Sequence, residues 1–223
     1  IVQLYDASDN DKIKACGDVS GWIIRSGTTI DDEAIRASKN LRAIGRAGVG
    51  IDNIDISAAT RNGVIVMNTP DVNTISAAEH TIAMMLALSR NISQGDYELK
   101  QNKWNRHLLI GTELRNKTLG IVGLGKIGRE VMSRSLSFGM NILGYDPFVS
   151  QKMFNADEIR IAELDEISEQ SDFITIHVPL SNETKNLFNR ERLKKMKNTA
   201  RIINVSRGGI VNTNDVIAEL ENG

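Results

Sequence analysis

The sequence predicts an α/β fold with parallel sheets, arranged in two units along the chain. Short apolar runs alternate with segments of helical period over almost all of the 223 residues, which is the pattern of repeated strand–helix–strand connections. Apolar residues make up 41% and charged residues 25% of the chain, as is usual for a folded globular protein. A glycine-rich turn at 123–128 also stands between a predicted strand and a predicted helix, where doubly wound sheets bind ligands.

The composition argues against several classes of partner and site. The formal net charge is −1, so no basic surplus favours nucleic acid or an anionic membrane. No run approaches the ~18 apolar residues that a membrane-spanning helix needs. Three histidines and one cysteine are too few for a zinc or disulfide framework, and no metal site is expected. We interpret the single cysteine, Cys16, as a reduced and unreactive thiol, which favours a cytoplasmic location.

The first predicted unit covers residues 1–70. Asp31 and Asp55 each precede a helical segment and are good N-cap residues, and Gly63 ends the second of these helices. Between the helices lie short apolar strands. The predicted strands are 21–25, 41–45 and 64–67.

The second predicted unit covers residues 71–223 and begins with a long helix at 75–90. Ser76 and Glu79 have capping-box spacing, and an apolar stripe of helical period follows. The residues of that stripe are Ile75, Ala78, Ile82, Met85 and Leu86. Five strands are predicted at 118–122, 141–145, 158–161, 172–177 and 201–205. Helices are predicted at 126–138, 163–170, 189–196 and 213–222.

A dinucleotide-binding signature begins the second sheet. The strand 118–122 leads directly into Gly123, Gly125 and Gly128, a GxGxxG pattern, and a helix follows. In this pattern the first glycine permits a tight turn, the second lets the backbone approach a pyrophosphate, and the third lets the helix pack close to the strand. The helix N-terminus offers free N–H groups to the phosphates. The flanking strand and helix make the signature far more specific than the glycines alone.

A carboxylate stands where the adenosine ribose of the dinucleotide is expected. Asp146 follows the strand 141–145 and lies 18 residues after Gly128, close to the typical spacing of about 20 residues. A carboxylate there accepts hydrogen bonds from the ribose hydroxyls and repels a 2′-phosphate. Pro147 follows, and no arginine is expected near Asp146 to favour NADP, so the sequence predicts NAD. The structural alternative is a turn residue ahead of a proline.

Several longer segments resemble a known family. They are GRAGVGIDNID (45–55), NTPDVNTISAAEHTIAMMLALSR (68–90), GLGKIG (123–128), HVPL (177–180) and NVSRGG (204–209). These segments are similar to the D-isomer-specific 2-hydroxyacid dehydrogenases, and most of all to the members that oxidise 3-phosphoglycerate. The resemblance implies a doubly wound Rossmann NAD domain at 71–223, which includes a linking and dimerisation helix, and an incomplete flavodoxin-like substrate domain at 1–70.

The resemblance also implies roles for individual residues. Arg207 matches the catalytic arginine, whose planar fork can bind the carboxylate or the C2 oxygen of the substrate and stabilise negative charge. His177 is expected to lie against the cofactor rather than to transfer protons. The residues expected to contact the cofactor are Gly123, Gly125, Lys126, Ile127, Gly128, Asp146, His177, Val178, Pro179, Val205, Ser206 and Val49.

A second set of residues is expected to contact the substrate. The backbone N–H groups of the turn at 47–50 are suited to a carboxylate, and three arginines are suited to a phosphate. The set comprises Arg25, Ser26, Arg46, Gly48, Val49, Gly50, Asn73 and Arg106. Each has a structural alternative: a plain connecting turn, an N-cap at Asn73, and ordinary surface arginines.

The reaction that the resemblance implies is the NAD-dependent oxidation of 3-phospho-D-glycerate to 3-phosphohydroxypyruvate, in serine biosynthesis, by a homodimer or homotetramer. The alternatives are a glyoxylate, hydroxypyruvate or D-lactate type of dehydrogenase, and a non-catalytic, NAD-sensing protein of the corepressor kind. The family's catalytic Glu and His belong to motifs that these 223 residues do not contain. We therefore expect this chain to bind NAD but to turn over little or no substrate.

Overall fold

The computed structural model describes Gly17 and residues 19–222. The chain divides into two compact units, one ending at Asn73 and the other beginning at Thr74. Cys16 lies outside the described residues, so the interpretation of its thiol stays a prediction. Within the described part of the chain, no helix is long and apolar enough to cross a membrane. The same residues contain no cluster of His, Cys, Asp or Glu side chains that could hold a metal ion.

The described residues of the first unit form a three-stranded parallel sheet and two helices. Its elements are β1 (Gly21–Ile24), α1 (Asp32–Ala37), β2 (Ala43–Arg46), α2 (Ile56–Arg61) and β3 (Ile65–Asn68). The strands pair in the order β1-β2-β3. Both predicted N-caps are confirmed, because Asp31 accepts a hydrogen bond from the Ala34 amide and Asp55 accepts one from the Ala58 amide.

The second unit is built on a five-stranded sheet in which all pairs are parallel. Its elements are α3 (Thr74–Ser89), α4 (Ile92–Lys100), β4 (Thr118–Val122), α5 (Lys126–Ser137), β5 (Asn141–Tyr145), β6 (Arg160–Ile161), α6 (Leu164–Gln170), β7 (Phe173–Ile176), α7 (Arg190–Leu193), β8 (Arg201–Asn204) and α8 (Thr213–Asn222). The strand order is β6-β5-β4-β7-β8. The chain thus runs outward from β4 through β5 to β6 and then returns to β7, so the order reverses between β4 and β7.

Helices cover both faces of this sheet. On one face, Leu119 and Ile121 of β4 pack in a buried cluster with Met85 of α3 and Val131 of α5. On the other face, Val122 packs in a second cluster that includes residues of α6 and β7. Alternate residues of one strand therefore serve two cores, which is why these strands are apolar throughout rather than alternating.

Two details of the second unit differ from the sequence prediction. Helix α3 begins at Thr74, so Ser76 lies inside its first turn and does not cap it. Ile75, at the start of the predicted apolar stripe, is 47% exposed. His80, next to that stripe, is exposed as well, because the buried face of α3 is carried by Ala78, Ile82 and Met85.

Helix α4 was not predicted. It follows Asn91, which has a left-handed backbone with φ 52°, so the chain turns sharply between α3 and α4. None of the residues of α4 is buried, and Gly95 lowers its intrinsic helix propensity. The sequence therefore carries no clear apolar stripe for this helix, and Asn91, although a favoured N-cap type, makes no side-chain capping bond.

Candidate functional site

The carboxyl ends of β4 and β7 meet where the strand order reverses. β4 continues into Gly123, and β7 continues into His177, whose amide donates to the Val122 carbonyl oxygen at 2.7 Å. Gly123 has φ +99°, and a Cβ at this position would lie 2.8 Å from the His177 carbonyl oxygen and 3.0 Å from Cγ1 of Val178. The two segments therefore pack backbone against backbone, with no room for a side chain. In doubly wound sheets this reversal point is where ligands bind.

The other two glycines of the turn have contrasting surroundings. A Cβ at Gly128 would lie 2.0 Å from the Gly123 carbonyl oxygen, so α5 approaches the turn as closely as only glycine permits. Gly125, the N-cap of α5, has an ordinary φ of −71°, and nothing lies within 4 Å of a Cβ built there. The space beside Gly125 is open, and the first N–H groups of a helix have no intrahelical acceptor. This cradle fits a pyrophosphate, and a side chain would fill it.

Asp146 anchors the glycine turn. Its Oδ2 accepts a hydrogen bond from the Leu124 amide at 2.9 Å, and its Oδ1 accepts one from the Phe148 amide at 2.9 Å. A carboxylate oxygen can accept more than one hydrogen bond, so both oxygens can also receive hydroxyl groups of a ribose. The structure thus brings Asp146 to the turn and adds a bond to Leu124 that the sequence did not reveal.

Arg129 holds Leu124 from the other side. Its Nε donates to the Leu124 carbonyl oxygen at 2.9 Å, and its guanidinium carbon lies 4.7 Å from the centroid of the Phe154 ring. The expectation that no arginine is near Asp146 is wrong in three dimensions, because Asp146 and Arg129 bind the two ends of the same residue. The signal available in the sequence was the position of Arg129 directly after Gly128.

His177 is uncharged at neutral pH. Burial lowers the pKa of its imidazole from 6.5 to about 4, because a charged ring loses its hydration there. Its Nε2 lies 2.9 Å from Oγ1 of the fully buried Thr175. Pro179, further along the segment, is exposed, and its carbonyl accepts a hydrogen bond from Thr184 Oγ1 at 2.6 Å. The segment after β7 is therefore fixed at both ends.

The loop after β8 carries Arg207. Asn204, the last residue of β8, donates from Nδ2 to the Arg207 carbonyl oxygen at 2.8 Å. Its Oδ1 accepts from the amide of Ser206 at 3.1 Å and from the hydroxyl of Ser206 at 2.8 Å. One amide side chain thus braces the whole loop. Sequence reasoning missed Asn204, although a polar residue that ends an apolar strand just before Ser206 and Arg207 is a recognisable signal.

The remaining predicted contacts of the second unit lie in three places. Lys126 begins α5 and is exposed, whereas Ile127 is half-buried against the core. Val205 packs against the same core from the loop after β8. Arg106 is exposed in a 3₁₀ turn, Arg106–Leu108, and its assignment to a phosphate stays a prediction.

In the first unit, Arg46 is buried rather than surface-exposed. It ends β2 with only 8% of its surface exposed, and its Nη1 donates to the Ala47 carbonyl oxygen at 3.0 Å. Gly48 has φ +145°, and a Cβ there would lie 1.5 Å from Nη1 of Arg46. The turn at 47–50 therefore rests on the guanidinium, and only glycine can occupy position 48.

The loops at the carboxyl edge of this smaller sheet are braced by two asparagines. Asn53 donates from Nδ2 to the Arg25 carbonyl at 3.1 Å and to the Thr28 carbonyl at 2.6 Å. Asn68 donates from Nδ2 to the Val49 carbonyl at 2.7 Å. The side chains of Arg25 and Ser26 are exposed on these loops, Gly50 is half-buried, and Asn73 is the exposed last residue of the unit.

The second unit has the features that define a Rossmann-type dinucleotide-binding domain. They are a parallel sheet with this strand order, a glycine turn at its reversal point, and a carboxylate after the second strand. The family model "D-isomer specific 2-hydroxyacid dehydrogenase, NAD binding domain" matches residues 82–223. The chain belongs to the D-isomer-specific 2-hydroxyacid dehydrogenase family, and its second unit contains the NAD-binding domain of that family. The predicted family and cofactor are thereby confirmed.

Individual relatives agree with this assignment. D-3-phosphoglycerate dehydrogenase of Synechocystis sp. is 49% identical over 199 residues, which are 89% of this chain and 36% of that protein. Human D-3-phosphoglycerate dehydrogenase is 43% identical over 223 residues, 100% of this chain and 42% of that protein. NAD-dependent formate dehydrogenase from Staphylococcus aureus, solved in complex with NAD, superposes with a TM-score of 0.88 at 33% identity, over 96% of this chain and 65% of that one. The chain thus spans less than half the length of these two curated relatives.

Proposed function

We propose that these residues form the NAD-binding part of a dehydrogenase that oxidises 3-phospho-D-glycerate to 3-phosphohydroxypyruvate. NAD held at the glycine turn would supply the hydride acceptor for C2 of the substrate, and the hydroxyl proton would pass to a base that is not among the residues assigned here. The observation that carries the proposal is the open cradle at Gly125, at the reversal point of the sheet. The similarity to phosphoglycerate dehydrogenases at 43–49% identity favours this substrate within the family.

The residues of the turn have distinct tasks in holding the cofactor. The amides at the start of α5 bind the pyrophosphate, and Lys126 and Ile127 contribute two of them. Asp146 accepts the hydroxyl groups of the adenosine ribose. Gly123 and the segment beginning at His177 form one wall of the site, and Val205 and Ser206 approach from the loop after β8. All of these positions are held by hydrogen bonds or core packing before a ligand arrives, which lowers the entropic cost of binding.

Arg207 is the residue that acts on the substrate. Its backbone is held by Asn204 at 2.8 Å, and its Nη1 donates to the Ser206 carbonyl oxygen at 2.9 Å. A guanidinium can bind a carboxylate through two parallel hydrogen bonds and polarise the C2 oxygen as negative charge develops there. His177 is unsuited to be the base, because its pKa of about 4 makes it too weak an acceptor at neutral pH.

Two arginines favour a phosphorylated acid over lactate or glyoxylate. Arg46 pairs with Ile24 in the sheet, so Arg25, the next residue, follows at the same carboxyl edge. Nε of Arg46 is buried and has no hydrogen-bond partner among the described residues. A buried donor without an acceptor is costly, and an anion would supply the acceptor. The amides of Gly48, Val49 and Gly50 are assigned to the substrate carboxylate, with Asn73 and Arg106 as further contacts.

We also propose that the protein is a homodimer. Six large apolar side chains between residues 92 and 110 are more than half exposed, and an exposed apolar surface of this kind is suited to a two-fold interface. They are Ile92, Tyr97, Leu99, Trp104, Leu108 and Ile110. Sedimentation of the wild-type protein and of Trp104→Asp should give a dimer and a monomer, and a monomeric wild type would contradict the proposal.

The proposed activity is tested on the full-length protein with three substrates. NADH binding is followed by energy transfer from tryptophan, and oxidation of 3-phosphoglycerate, D-lactate and glycolate is followed by NADH formation. Arg25→Ala should weaken the binding of 3-phosphoglycerate by roughly 1.5–3 kcal/mol, while D-lactate turnover stays the same. NADH binding without turnover of any 2-hydroxy acid would instead favour the NAD-sensing alternative.

A further inference from the structure

We propose that Asp146 and Arg129 form an opposed pair that sets the choice between NAD and NADP. In this pair Asp146 rejects a phosphate on the 2′ oxygen of the adenosine ribose, and Arg129 is a latent ligand for that phosphate. The inference rests on the proposed placement of the cofactor at the glycine turn. It adds a residue that the glycine signature does not include.

The pair is held together by one residue of the turn. Oδ2 of Asp146 binds the N–H of Leu124, and Nε of Arg129 binds its C=O, each at 2.9 Å. Because the backbone N and O of one residue lie only about 3 Å apart, the carboxylate and the guanidinium stand within roughly 9 Å of each other. A 2′-phosphate on a ribose bound to Asp146 therefore falls within reach of both groups.

The guanidinium of Arg129 is suited to a phosphate. Its Nε is used by Leu124, and no other hydrogen bond of Arg129 is found among the described residues. The two Nη groups form the planar fork that binds phosphate oxygens in pairs. A cation–π contact with the Phe154 ring at 4.7 Å stabilises the position of the guanidinium, and the residue is exposed, so a ligand can reach it.

In the wild-type protein the negative charge of Asp146 prevents this use of Arg129. A phosphate dianion beside the carboxylate meets a like charge at short range, which disfavours binding strongly. The ribose of NAD has hydroxyl groups at the same place and instead donates to the carboxylate. A neutral side chain of the same shape at position 146 should therefore allow Arg129 to attract the 2′-phosphate, and NADPH should bind more tightly.

A structural role of Arg129 must be separated from this ligand role. Loss of the hydrogen bond to Leu124 would loosen the turn and weaken the binding of any dinucleotide. NADH and NADPH share the pyrophosphate, both riboses and both bases, so a looser turn weakens both alike. The ratio of the two dissociation constants cancels that effect and reports only on the 2′-phosphate.

The experiment is a double-mutant cycle on this ratio. Asp146→Asn keeps an oxygen for the Leu124 amide, and it should raise the affinity for NADPH relative to NADH by about tenfold or more. In Asp146→Asn/Arg129→Gln most of that gain should disappear. In the control Asp146→Asn/Arg134→Gln it should persist, because Arg134 lies on the same helix but binds Glu130. Asp146→Ser serves as the second neutral variant if Asn unfolds the turn.

The outcomes separate the inference from the proposed function. A wild type that does not bind NADH overturns the proposed function. Wild-type binding of NADH, with a gain for NADPH that survives Arg129→Gln or never arises in both neutral variants, overturns only the inference. Competition by adenosine 2′,5′-bisphosphate gives an independent readout: it should improve in Asp146→Asn, fall with added salt, and be lost with Arg129→Gln.

Discussion

At the scale of single residues, the three glycines of the turn have different reasons to be glycine. Gly123 and Gly128 are required by the protein itself, since a Cβ would overlap backbone atoms at 2.8 Å and 2.0 Å. Gly125 meets no protein atom within 4 Å, and its φ of −71° suits any residue. Its requirement therefore comes from the ligand and not from the fold.

This contrast predicts different outcomes for two substitutions. Gly125→Ala should change the free energy of unfolding by less than about 1 kcal/mol and raise the dissociation constant of NADH tenfold or more. Gly128→Ala should lower the free energy of unfolding by about 1–3 kcal/mol and weaken NADH as well, because α5 must move away from Gly123. Urea unfolding and NADH titration measure both. Equal losses of stability in the two variants would contradict the assignment of the open space to the cofactor.

His177 predicts a pH dependence of stability. Its pKa is about 4 in the folded protein and 6.5 when unfolded, so the unfolded state binds more protons between these values. Stability is fully present above pH 6.5 and is lost as the pH falls toward 4, by about 2 kcal/mol between pH 7 and pH 5.

The variant His177→Gln removes this titration. The difference in unfolding free energy between wild type and His177→Gln should therefore shrink or reverse between pH 7 and pH 5. NMR titration of the imidazole gives the pKa directly, and a value near 6.5 would refute the explanation by burial.

At the scale of elements, the loop after β8 shows how the last residue of a strand positions the residues that follow it. Asn204 satisfies the Ser206 amide and hydroxyl and the Arg207 carbonyl with a single side chain. Asn204→Ala should lower the free energy of unfolding by about 1–3 kcal/mol, because it leaves half-buried polar groups unpaired.

The functional effect of Asn204→Ala should exceed its effect on cofactor binding. The value of kcat should fall, because the backbone of Arg207 loses its hydrogen bond to Asn204. The dissociation constant of NADH should change little. Asn204→Asp keeps the acceptor for Ser206 but loses the donor to Arg207. Its kcat should lie between those of the wild type and Asn204→Ala. A loss confined to NADH affinity would contradict the positioning role.

Elements and site residues differ in how far the sequence predicted them. The caps at Asp31 and Asp55 were predictable because each bond reaches an amide only three residues away. The hydrogen bond from Arg129 to Leu124 could not be predicted from the sequence, because it depends on the direction of a side chain in the first turn of α5. The burial of Arg46 could not be read either, because it requires the turn at Gly48 to fold back over its own guanidinium.

At the scale of the whole molecule, the proposed cofactor and substrate contacts fall largely in different units. The cofactor cradle, Asp146 and the loop of Arg207 belong to the second unit, whereas Arg25 and the turn at 47–50 belong to the first. A ligand stabilises the part of a protein that it contacts, by about 2.7 kcal/mol at a hundred times its dissociation constant. Local stability should therefore report each ligand separately.

Amide hydrogen exchange measures this separation. NADH alone should slow exchange at 123–128, 145–148, 177–180 and 204–208, where the carboxyl ends of four adjacent strands surround the cradle. Addition of 3-phosphoglycerate should then slow exchange at 25–26 and at 46–50. D-lactate has a carboxylate but no phosphate, so it should slow exchange at 46–50 and leave 25–26 unchanged. Residues 168–172 lie beside Thr118 at the amino end of β4 and serve as the internal reference. If 3-phosphoglycerate left residues 25–26 and 46–50 unchanged while turnover continued, the phosphate would have to be bound elsewhere, and Arg25 and Arg46 would keep only their places in the fold.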